Sequence, residues 1–379
     1  SVSFTNSSAL DISVWTTKIR AQETSYSTAA SHCETRGLRC NAKNSHYTFP
    51  EHLMTESHLQ SHTTKTVHVS APTRLHFGLL SFGNQEGRNF GGVGLMLKEP
   101  RVEITATPAD TFATTGPYAA RLLDFSKQWQ QYTQADTLPN CVLTVTAAPE
   151  QHVGLGLGTQ LGLSTAEILQ AFLTGDGFGA MERAFVVNRA SRSAVGTYGF
   201  EFGGLIVERG RLPSERISPL ECRLDFPDAW RVMLVRPENE QGLSGEQETR
   251  AFGDIPPVAQ RTTDQLIAEL ESGLLPGITA GNFMMAADAI ENYGRIAGGC
   301  FSSIQGGPYN GRLLNRRVEW LKGLGAHGIG QSSWGPTLFC IFETQADAER
   351  FKDSMGSDDS GQTLRVEIVR ADNQGADIS

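Results

Sequence analysis

A glycine-rich segment at residues 149–161, PEQHVGLGLGTQL, constrains the fold of this chain more than any other feature. It follows a β-rich run at 141–147 and precedes an amphipathic pattern over 159–173, which predicts a strand, a tight loop and a helix in succession. Three alternate glycines let backbone N–H groups surround an anion, and a helix N-terminus adds partial positive charge. The spacing matches neither the P-loop nor the dinucleotide fingerprint. The segment predicts a phosphate site, with a purely structural turn as the alternative.

The composition describes a globular chain of 379 residues that does not bind phosphate through a general basic surface. Lys and Arg number 32 against 41 Asp and Glu, a net charge of −9, which argues against nucleic acid or an anionic membrane as a partner. No apolar run is long enough to span a bilayer. The six cysteines are widely spaced and form no C-x-x-C motif, which predicts reduced thiols and a cytoplasmic location.

The first fifty-three residues differ from the rest of the chain. Five of the nine histidines fall within residues 1–62, and the first methionine is Met54. We expect residues 1–65 to be either a disordered tail or an extension upstream of a natural start at Met54. The irregular spacing of histidine and cysteine there gives little support to a metal site.

From residue 66 onward, strand and helix patterns predict an α+β protein of two lobes. Strands are expected over 66–71, 101–107, 141–147, 203–208, 230–236, 336–342 and 363–370. Helices are expected over 159–173, 180–191, 260–274, 278–293, 311–323 and 345–355. Prolines cluster near 210–229, which places an N-terminal domain at 66–220 and a C-terminal domain at 221–379.

The segment 188–204, NRASRSAVGTYGFEFGG, is a second candidate site. Arg189 and Arg192 suit phosphate or carboxylate contacts, because a guanidinium binds such oxygens in pairs. Tyr198 and Phe200 are placed to border an aromatic substrate. The alternative is a helix end followed by a surface loop.

The segment 325–337, GAHGIGQSSWGPT, precedes a strand and offers small hydroxyls and backbone donors to a ligand. A single loop of this kind is usually structural, but three glycine-rich loops in one chain favour ligand binding. The candidates in this loop are Gln331, Ser332, Ser333 and Trp334.

Two further stretches carry ionisable candidates. Arg74 and His76 follow the strand at 66–71; His76 is a candidate base that titrates near neutrality, although a lone histidine is more often structural. The acidic loop 237–250 contains Glu246, a candidate Mg²⁺ ligand, with a solvated run of charge as the alternative.

Taken in order, these segments resemble the GHMP-kinase superfamily and, within it, the β-ribofuranosylaminobenzene 5′-phosphate synthase family of methanopterin biosynthesis. The matching segments are APTR at 71–74, RLHFG at 74–78, HVGLG at 152–156 with GTQ at 158–160, GTYGFE at 196–201, GLSGE at 242–246 and GQSSWGP at 330–336. The resemblance covers about residues 66–370. It implies a two-lobed GHMP-kinase-like fold, with a mixed sheet and the phosphate loop in the N-terminal lobe and a ferredoxin-like C-terminal lobe.

The resemblance also implies an activity, that of a pentosyltransferase in one-carbon metabolism. Such an enzyme joins phosphoribosyl pyrophosphate to 4-aminobenzoate and releases CO₂ and pyrophosphate, with Mg²⁺ as cofactor; the family suggests a homodimer. The implied catalytic residues are Arg74, His76 and Tyr198. The implied substrate and phosphate ligands are Gly154, Gly156, Gly158, Thr159, Gln160, Arg189, Arg192, Gln331, Ser332, Ser333 and Trp334.

Within this scheme the N–H groups of 154–159 bind the departing pyrophosphate, and Arg189 and Arg192 bind phosphate. Arg74 pairs with the benzoate carboxylate, and His76 handles the amine proton.

The sequence departs from the superfamily pattern at two positions. Gly196 stands where mevalonate-type kinases carry an aspartate base, and Leu157 stands where they carry serine. The first departure disfavours phosphoryl transfer, and the second removes a hydroxyl from the phosphate loop. The alternatives are an ATP-dependent small-molecule kinase and a non-catalytic protein that binds a phosphoribosyl ligand.

Overall fold

A computed structural model describes residues 65–238, 240, 242, 252–253, 255–356 and 360–379. The expectations for residues 1–64 and for Glu246 lie outside these described residues. No helix of the described part has the length and apolar character needed to cross a bilayer. Its four cysteines are free thiols.

The described residues form eleven strands and ten α-helices. The strands are β1 Val67–Ser81, β2 Phe90–Pro108, β3 Ala113–Thr115, β4 Cys141–Ala147, β5 Leu205–Glu208, β6 Leu220–Leu224, β7 Arg231–Pro237, β8 His327–Gln331, β9 Leu338–Phe342, β10 Leu364–Val369 and β11 Asp377–Ile378. The helices are α1 Ala119–Thr133, α2 Leu157–Thr174, α3 Ala180–Val186, α4 Val195–Phe202, α5 Gln260–Glu269, α6 Leu275–Ala280, α7 Phe283–Gly299, α8 Ser302–Gln305, α9 Gly311–Gly323 and α10 Gln345–Ser354. A π-helical turn, Leu270–Leu274, joins α5 to α6.

The N-terminal sheet has seven strands and is mixed, as expected. Its main path is β11-β1-β2-β4-β3, and β5 pairs with β2 and with β6. All of these pairs are antiparallel except β3 with β4. Helices α1, α2 and α4 cover the sheet and bury a core that includes Trp129, Leu161 and Phe200.

The C-terminal sheet has four strands in the order β10-β7-β9-β8, and all its pairs are antiparallel. Helices precede β8 and follow β9, so the order of elements is that of a ferredoxin-like lobe, as expected. Its core packs Met233, Val318, Ile329 and Phe351 between the sheet and helices α9 and α10.

Helix α7 joins the two lobes because it packs against both β8 and β1. The Tyr293 hydroxyl donates to the Gly78 carbonyl at 3.1 Å. An ion pair between Arg236 in β7 and Glu150 after β4, with N–O distances of 2.9 and 3.1 Å, adds a second connection. These two contacts therefore fix the N-terminal and C-terminal lobes to each other.

The structure corrects several expected elements. The first strand is much longer than 66–71 and contains Arg74 and His76 rather than preceding them. Helix α1 was not predicted. The helix expected over 180–191 ends at Val186, and part of the expected loop 188–204 is helix α4.

Candidate active site

Strand β1 supplies the first side chains of the site. Arg74 and His76 are two residues apart and so share one face of the strand. The register with β2 then shifts between His76 and Gly78, which leaves Phe77 as an extra residue. Such a bulge re-aims side chains near a binding site, and here it brings Phe77 to the same cavity.

A cavity with a volume of about 820 Å³ lies where β1, α7 and the loops after α3 and β8 meet. Its wall contains three arginines and one histidine, and the described part of the wall contains no aspartate or glutamate. The polar and aromatic side chains of the wall are Arg74, His76, Phe77, Thr159, Asn188, Arg189, Ser191, Arg192, Ser193, Phe252, Phe301, Gln305, Gln331, Ser333 and Trp334. The protein as a whole has a net charge of −9, so the positive charge gathered in this wall is a local feature that favours an anionic ligand.

The glycine-rich loop beside the cavity is held by its carbonyl groups. The carbonyls of His152, Val153 and Gly154 accept from Gly242 N, Thr337 Oγ1 and Ser332 Oγ at 2.8, 2.6 and 2.7 Å. The Leu155 carbonyl accepts from Arg74 N in β1 at 3.1 Å. Donors from both lobes therefore fix this loop at the start of α2.

Gly156 precedes α2 with a φ of 73°, a conformation that favours glycine. A Cβ atom there would lie 2.6 Å from Cγ of Arg74. The side chain of Arg74 thus lies across the bare backbone of the loop, and its Nη1 donates to Ser333 Oγ at 3.3 Å. The absence of a side chain at Gly156 therefore leaves space for the side chain of Arg74.

Two more arginines lie at the N-terminus of α2. A Cβ atom on Gly158 would lie 2.7 Å from Arg121 Nη2 and 3.7 Å from Arg189 Nη2. Both guanidinium groups also lie over the ring of Phe125, at 6.0 and 5.3 Å from its centroid. The helix dipole adds to this positive charge, so an anion is favoured here. Arg121 was missed because its helix was not predicted.

The other end of the cavity is aromatic. Phe252, Phe301 and Trp334 make mutual ring contacts with centroid distances of 4.8 to 5.9 Å. Arg192 lies over Phe252, 4.5 Å from the ring centroid. Flat rings with a guanidinium beside them suit an aromatic ligand that carries a negative charge.

His76 lies in the wall of the same cavity. Burial, reinforced by the positive charge of Arg74, lowers the pKa of His76 to about 3. The expectation that His76 titrates near neutrality is therefore wrong. Its Nε2 lies 3.0 Å from Ser193 Oγ, so the neutral ring is tied to a hydroxyl.

The structure brings eight of the expected site residues to this one cavity. They are Arg74, His76, Thr159, Arg189, Arg192, Gln331, Ser333 and Trp334. Lining the cavity does not test what each residue does, so the individual roles remain predictions.

The expected aromatic border at Tyr198 and Phe200 is wrong. Both side chains lie on α4 and are buried in the N-terminal core. The Tyr198 hydroxyl donates to the Ser218 carbonyl at 2.9 Å, away from the cavity. The aromatic wall comes instead from Phe252 and Phe301, which stand outside the three loops singled out in the sequence.

Several expected phosphate ligands are structural. Ser332 is fully buried; its hydroxyl accepts from His76 N at 3.0 Å and donates to the Gly154 carbonyl. Gln160 is also fully buried and donates to the Gly196 carbonyl at 3.0 Å. The loop glycines Gly154, Gly156 and Gly158 lie against protein atoms and outside the described wall of the cavity. Leu157 packs in the core, so the missing hydroxyl is replaced by apolar burial.

The described residues do not form a site for the expected Mg²⁺. Among them, no group of three or more His, Cys, Asp or Glu side chains could hold a metal ion.

Comparisons with known proteins agree on the fold. The family described as GHMP kinases C terminal matches residues 285–359. The homoserine kinase from Cytophaga hutchinsonii superposes with a TM-score of 0.57 at 15% identity, covering 84% of this chain and 99% of that structure. A mevalonate 5-diphosphate decarboxylase gives 0.56 at 13% identity, covering 83% and 97%.

Sequence comparison gives more specific relatives. A β-ribofuranosylphenol 5′-phosphate synthase of Methanothermobacter thermautotrophicus is 28% identical over 295 residues, 72% of this chain and 88% of the relative. The protein of the same name from Archaeoglobus fulgidus is 27% identical over 341 residues, 82% of this chain and 98% of the relative. The chain therefore has the GHMP-kinase fold and is a sequence relative of the β-ribofuranosylphenol 5′-phosphate synthases.

Proposed function

We propose that this protein is a decarboxylating pentosyltransferase of tetrahydromethanopterin biosynthesis. It joins phosphoribosyl pyrophosphate to a 4-substituted benzoate at the ring carbon that bears the carboxylate and releases CO₂ and pyrophosphate. The observation that carries the proposal is the two-ended cavity, with arginines and a helix N-terminus at one end and three aromatic rings at the other. One substrate is polyanionic and the other is an aromatic carboxylate, so the two ends match the two substrates.

The arginine end would bind the phosphoribosyl substrate. Arg121 and Arg189 flank the start of α2, and Arg74 lies along the glycine-rich loop. As pyrophosphate leaves C1 of the ribose, charge grows on its oxygens, and fixed guanidinium groups stabilise that charge without reorganising. Mg²⁺, expected from the resemblance, would then be held mainly by phosphate oxygens and water.

The aromatic end would bind the benzoate. Phe252, Phe301 and Trp334 hold the ring by stacking, and Arg192 stands beside them for the carboxylate. These contacts support an assignment opposite to the one expected from the resemblance, with Arg192 on the carboxylate and Arg74 on phosphate. Holding the ring carbon and ribose C1 in register supplies a large part of the rate by proximity.

The name of the relatives describes a ribosylated phenol, whereas the resemblance first implied 4-aminobenzoate. A phenol product corresponds to 4-hydroxybenzoate as the acceptor. We therefore propose 4-hydroxybenzoate as the preferred acceptor and 4-aminobenzoate as its competitor.

The test supplies the full chain with phosphoribosyl pyrophosphate, Mg²⁺ and each acceptor labelled in its carboxyl group. The expected result is release of labelled CO₂ and pyrophosphate in equal amounts, dependent on both substrates. Consumption of ATP with an alcohol acceptor would instead make the protein a kinase. Binding of phosphoribosyl pyrophosphate with neither activity would make it a non-catalytic relative.

A further inference from the structure

A chain of polar groups runs from the cavity into the interior of the N-terminal lobe. It begins at His76, whose ring lies in the cavity wall, and passes to Ser193 through the 3.0 Å contact between Nε2 and Oγ. The Ser193 hydroxyl is in turn hydrogen-bonded to the carboxyl group of Glu208 at the end of β5. Glu208 is fully buried.

The carboxyl group of Glu208 forms the inner end of this chain and is held by hydrogen bonds from Ser193, Ser218 and backbone N–H groups. Glu208 Oε2 accepts from Ala194 N at 2.8 Å, at the start of α4. Oε1 is buried and has no hydrogen-bond partner of standard geometry in the described part of the chain. A buried carboxyl oxygen of this kind has the capacity to take up a proton.

The two ends of the chain have opposite preferences for charge. The ring of His76 is kept neutral by burial and by Arg74, the charged group that shares its face of β1. Burial raises the pKa of Glu208, and hydrogen bonds from Ser193 and Ala194 offset part of that effect. A proton that arrives at His76 is therefore not retained there, while the carboxyl group of Glu208 accepts one without leaving a buried charge.

We propose that His76, Ser193 and Glu208 form a proton relay that removes the hydroxyl proton of a phenolic acceptor during the transfer reaction. The relay rests on the function proposed above and names the chemical class of its acceptor. His76 is the catalytic residue that meets the acceptor, and Ser193 and Glu208 are positioning residues that act through it.

During the transfer three protons move inward, one at each step of the relay. The acceptor O–H bond breaks and an N–H bond forms at His76 Nδ1, while the Nε2 proton moves to Ser193 Oγ and the Ser193 proton moves to Glu208. The resulting phenolate attacks ribose C1 through its ring carbon as pyrophosphate departs. Loss of CO₂ restores the aromatic ring as a phenolate, which recovers its proton through the same groups in reverse.

The relay requires one particular tautomer of His76 before substrate binds. The relay requires Glu208 to be ionised before transfer. Ser193 then donates to the carboxylate and accepts from Nε2–H, and Nδ1 carries the lone pair that meets the acceptor. Long-range ¹H–¹⁵N correlation spectra of histidine-labelled protein report this tautomer without any substrate, and His76→Asn identifies the signals. We expect Nε2–H in the wild type and a shift toward Nδ1–H in Ser193→Ala.

Ser218 supplies a matched control because its hydroxyl also contacts Glu208 but does not lie between Glu208 and His76. Ser218→Ala should leave the tautomer of His76 unchanged. An Nδ1–H tautomer in the wild type, or no change in Ser193→Ala, would overturn the proposed chain.

The kinetic test compares the two acceptors. Ser193→Ala should lower kcat with 4-hydroxybenzoate about a hundredfold, the range of a lost proton-transfer group, and leave the KM for phosphoribosyl pyrophosphate unchanged. With 4-aminobenzoate the loss should stay below about threefold, because the amine lone pair already activates the ring carbon for attack without prior deprotonation. Glu208→Gln should give the same pattern, and the double variant should lose no more than either single one.

Equal losses with both acceptors, or use of 4-aminobenzoate alone by the wild type, would refute the relay while leaving the transferase function intact. Transfer to neither acceptor by the wild type would refute the proposed function. The tautomer measurement would still decide whether the hydrogen-bonded chain exists.

Discussion

The two ends of the cavity are built in different ways. At the arginine end, a glycine-rich loop is fixed by hydrogen bonds to its carbonyls, and the guanidinium groups lie against bare backbone or over the ring of Phe125. At the aromatic end, rings from separate segments pack against one another. Placing charge requires a fixed backbone, whereas shaping an apolar surface requires only packed side chains. The arginine end should therefore be the less tolerant of substitution.

The strongest test of this difference is Arg189→Ala. Removing a guanidinium that binds phosphate should lower kcat/KM for phosphoribosyl pyrophosphate about a hundredfold, or about 3 kcal/mol, and leave the KM of the benzoate nearly unchanged. Steady-state kinetics with each substrate varied in turn measures both effects. Arg189→Lys should recover little, because the ammonium group cannot bind two oxygens at once. Arg209→Ala, an arginine paired with Glu221 outside the cavity, serves as the control; an equal loss there would contradict the assignment.

In the cavity wall that carries both ends, neutral His76 makes the stability of the fold depend on pH. Its folded pKa of about 3 lies below the ordinary value of 6.5, so the unfolded chain binds the extra proton. Stability from this residue is present above about pH 6.5 and falls as the pH is lowered toward 3, by roughly 2 kcal/mol between pH 6.5 and about 4.5. Urea unfolding of the wild type and His76→Asn at both pH values measures it. A difference between the two proteins that does not change with pH would show that His76 is not held neutral.

The backbone requirement of the arginine end is tested by Gly156→Ala. The positive φ costs about 1 kcal/mol for alanine, and the clash with Arg74 should raise the loss to about 2 kcal/mol and also raise the KM for phosphoribosyl pyrophosphate. Gly175→Ala is a matched control, since its φ is 81° but no atom lies within 4 Å of a Cβ there. Equal thermal shifts and unchanged kinetics in both variants would show that the contact with Arg74 is unimportant.

The smallest effect is expected at the aromatic end. Phe301→Leu keeps an apolar side chain but removes the ring that meets Trp334 edge to face, which should raise the KM of the benzoate about fivefold, near 1 kcal/mol. The KM for phosphoribosyl pyrophosphate should not change. Phe351→Leu removes a comparable ring pair, with Phe342, from the C-terminal core and provides the control. A larger loss at Phe301 than at Arg189 would reverse the proposed difference between the two ends.

The sequence predicted those features that arise from short-range pattern. The strand, glycine-rich loop and start of α2 follow from alternation, glycine spacing and amphipathic period within one stretch of chain. The eight cavity residues found correctly lie on or beside such segments. Phe252 and Phe301 reach the cavity, and Arg121 reaches the N-terminus of α2, only through tertiary packing, which local pattern does not record.

The misassignment of Tyr198 has a particular physical cause. Gly196 and Gly199 lower the helix propensity of 195–202 and so favoured a loop there. In the structure these glycines allow close packing of α4, because Cβ atoms would lie 3.0 Å from Thr159 Cγ2 and 2.1 Å from Met96 Sδ. These two glycines are required by close packing of the helix and not by a loop.

The hydrogen bonds at the glycine-rich loop also bear on how the cavity can exchange its contents. Three of them, together with two from β1 beside the loop, connect the lobes at one seam: Gly242 to His152, Thr337 to Val153, Ser332 to Gly154, His76 to Ser332 and Ser333 to His76. A hinge motion that parted the lobes there would break all five together, at a cost of roughly 5 kcal/mol. Substrate entry and product exit should therefore proceed with this seam intact, and the amide protons of His76 and Ser333 should exchange with solvent only as slowly as the whole fold opens.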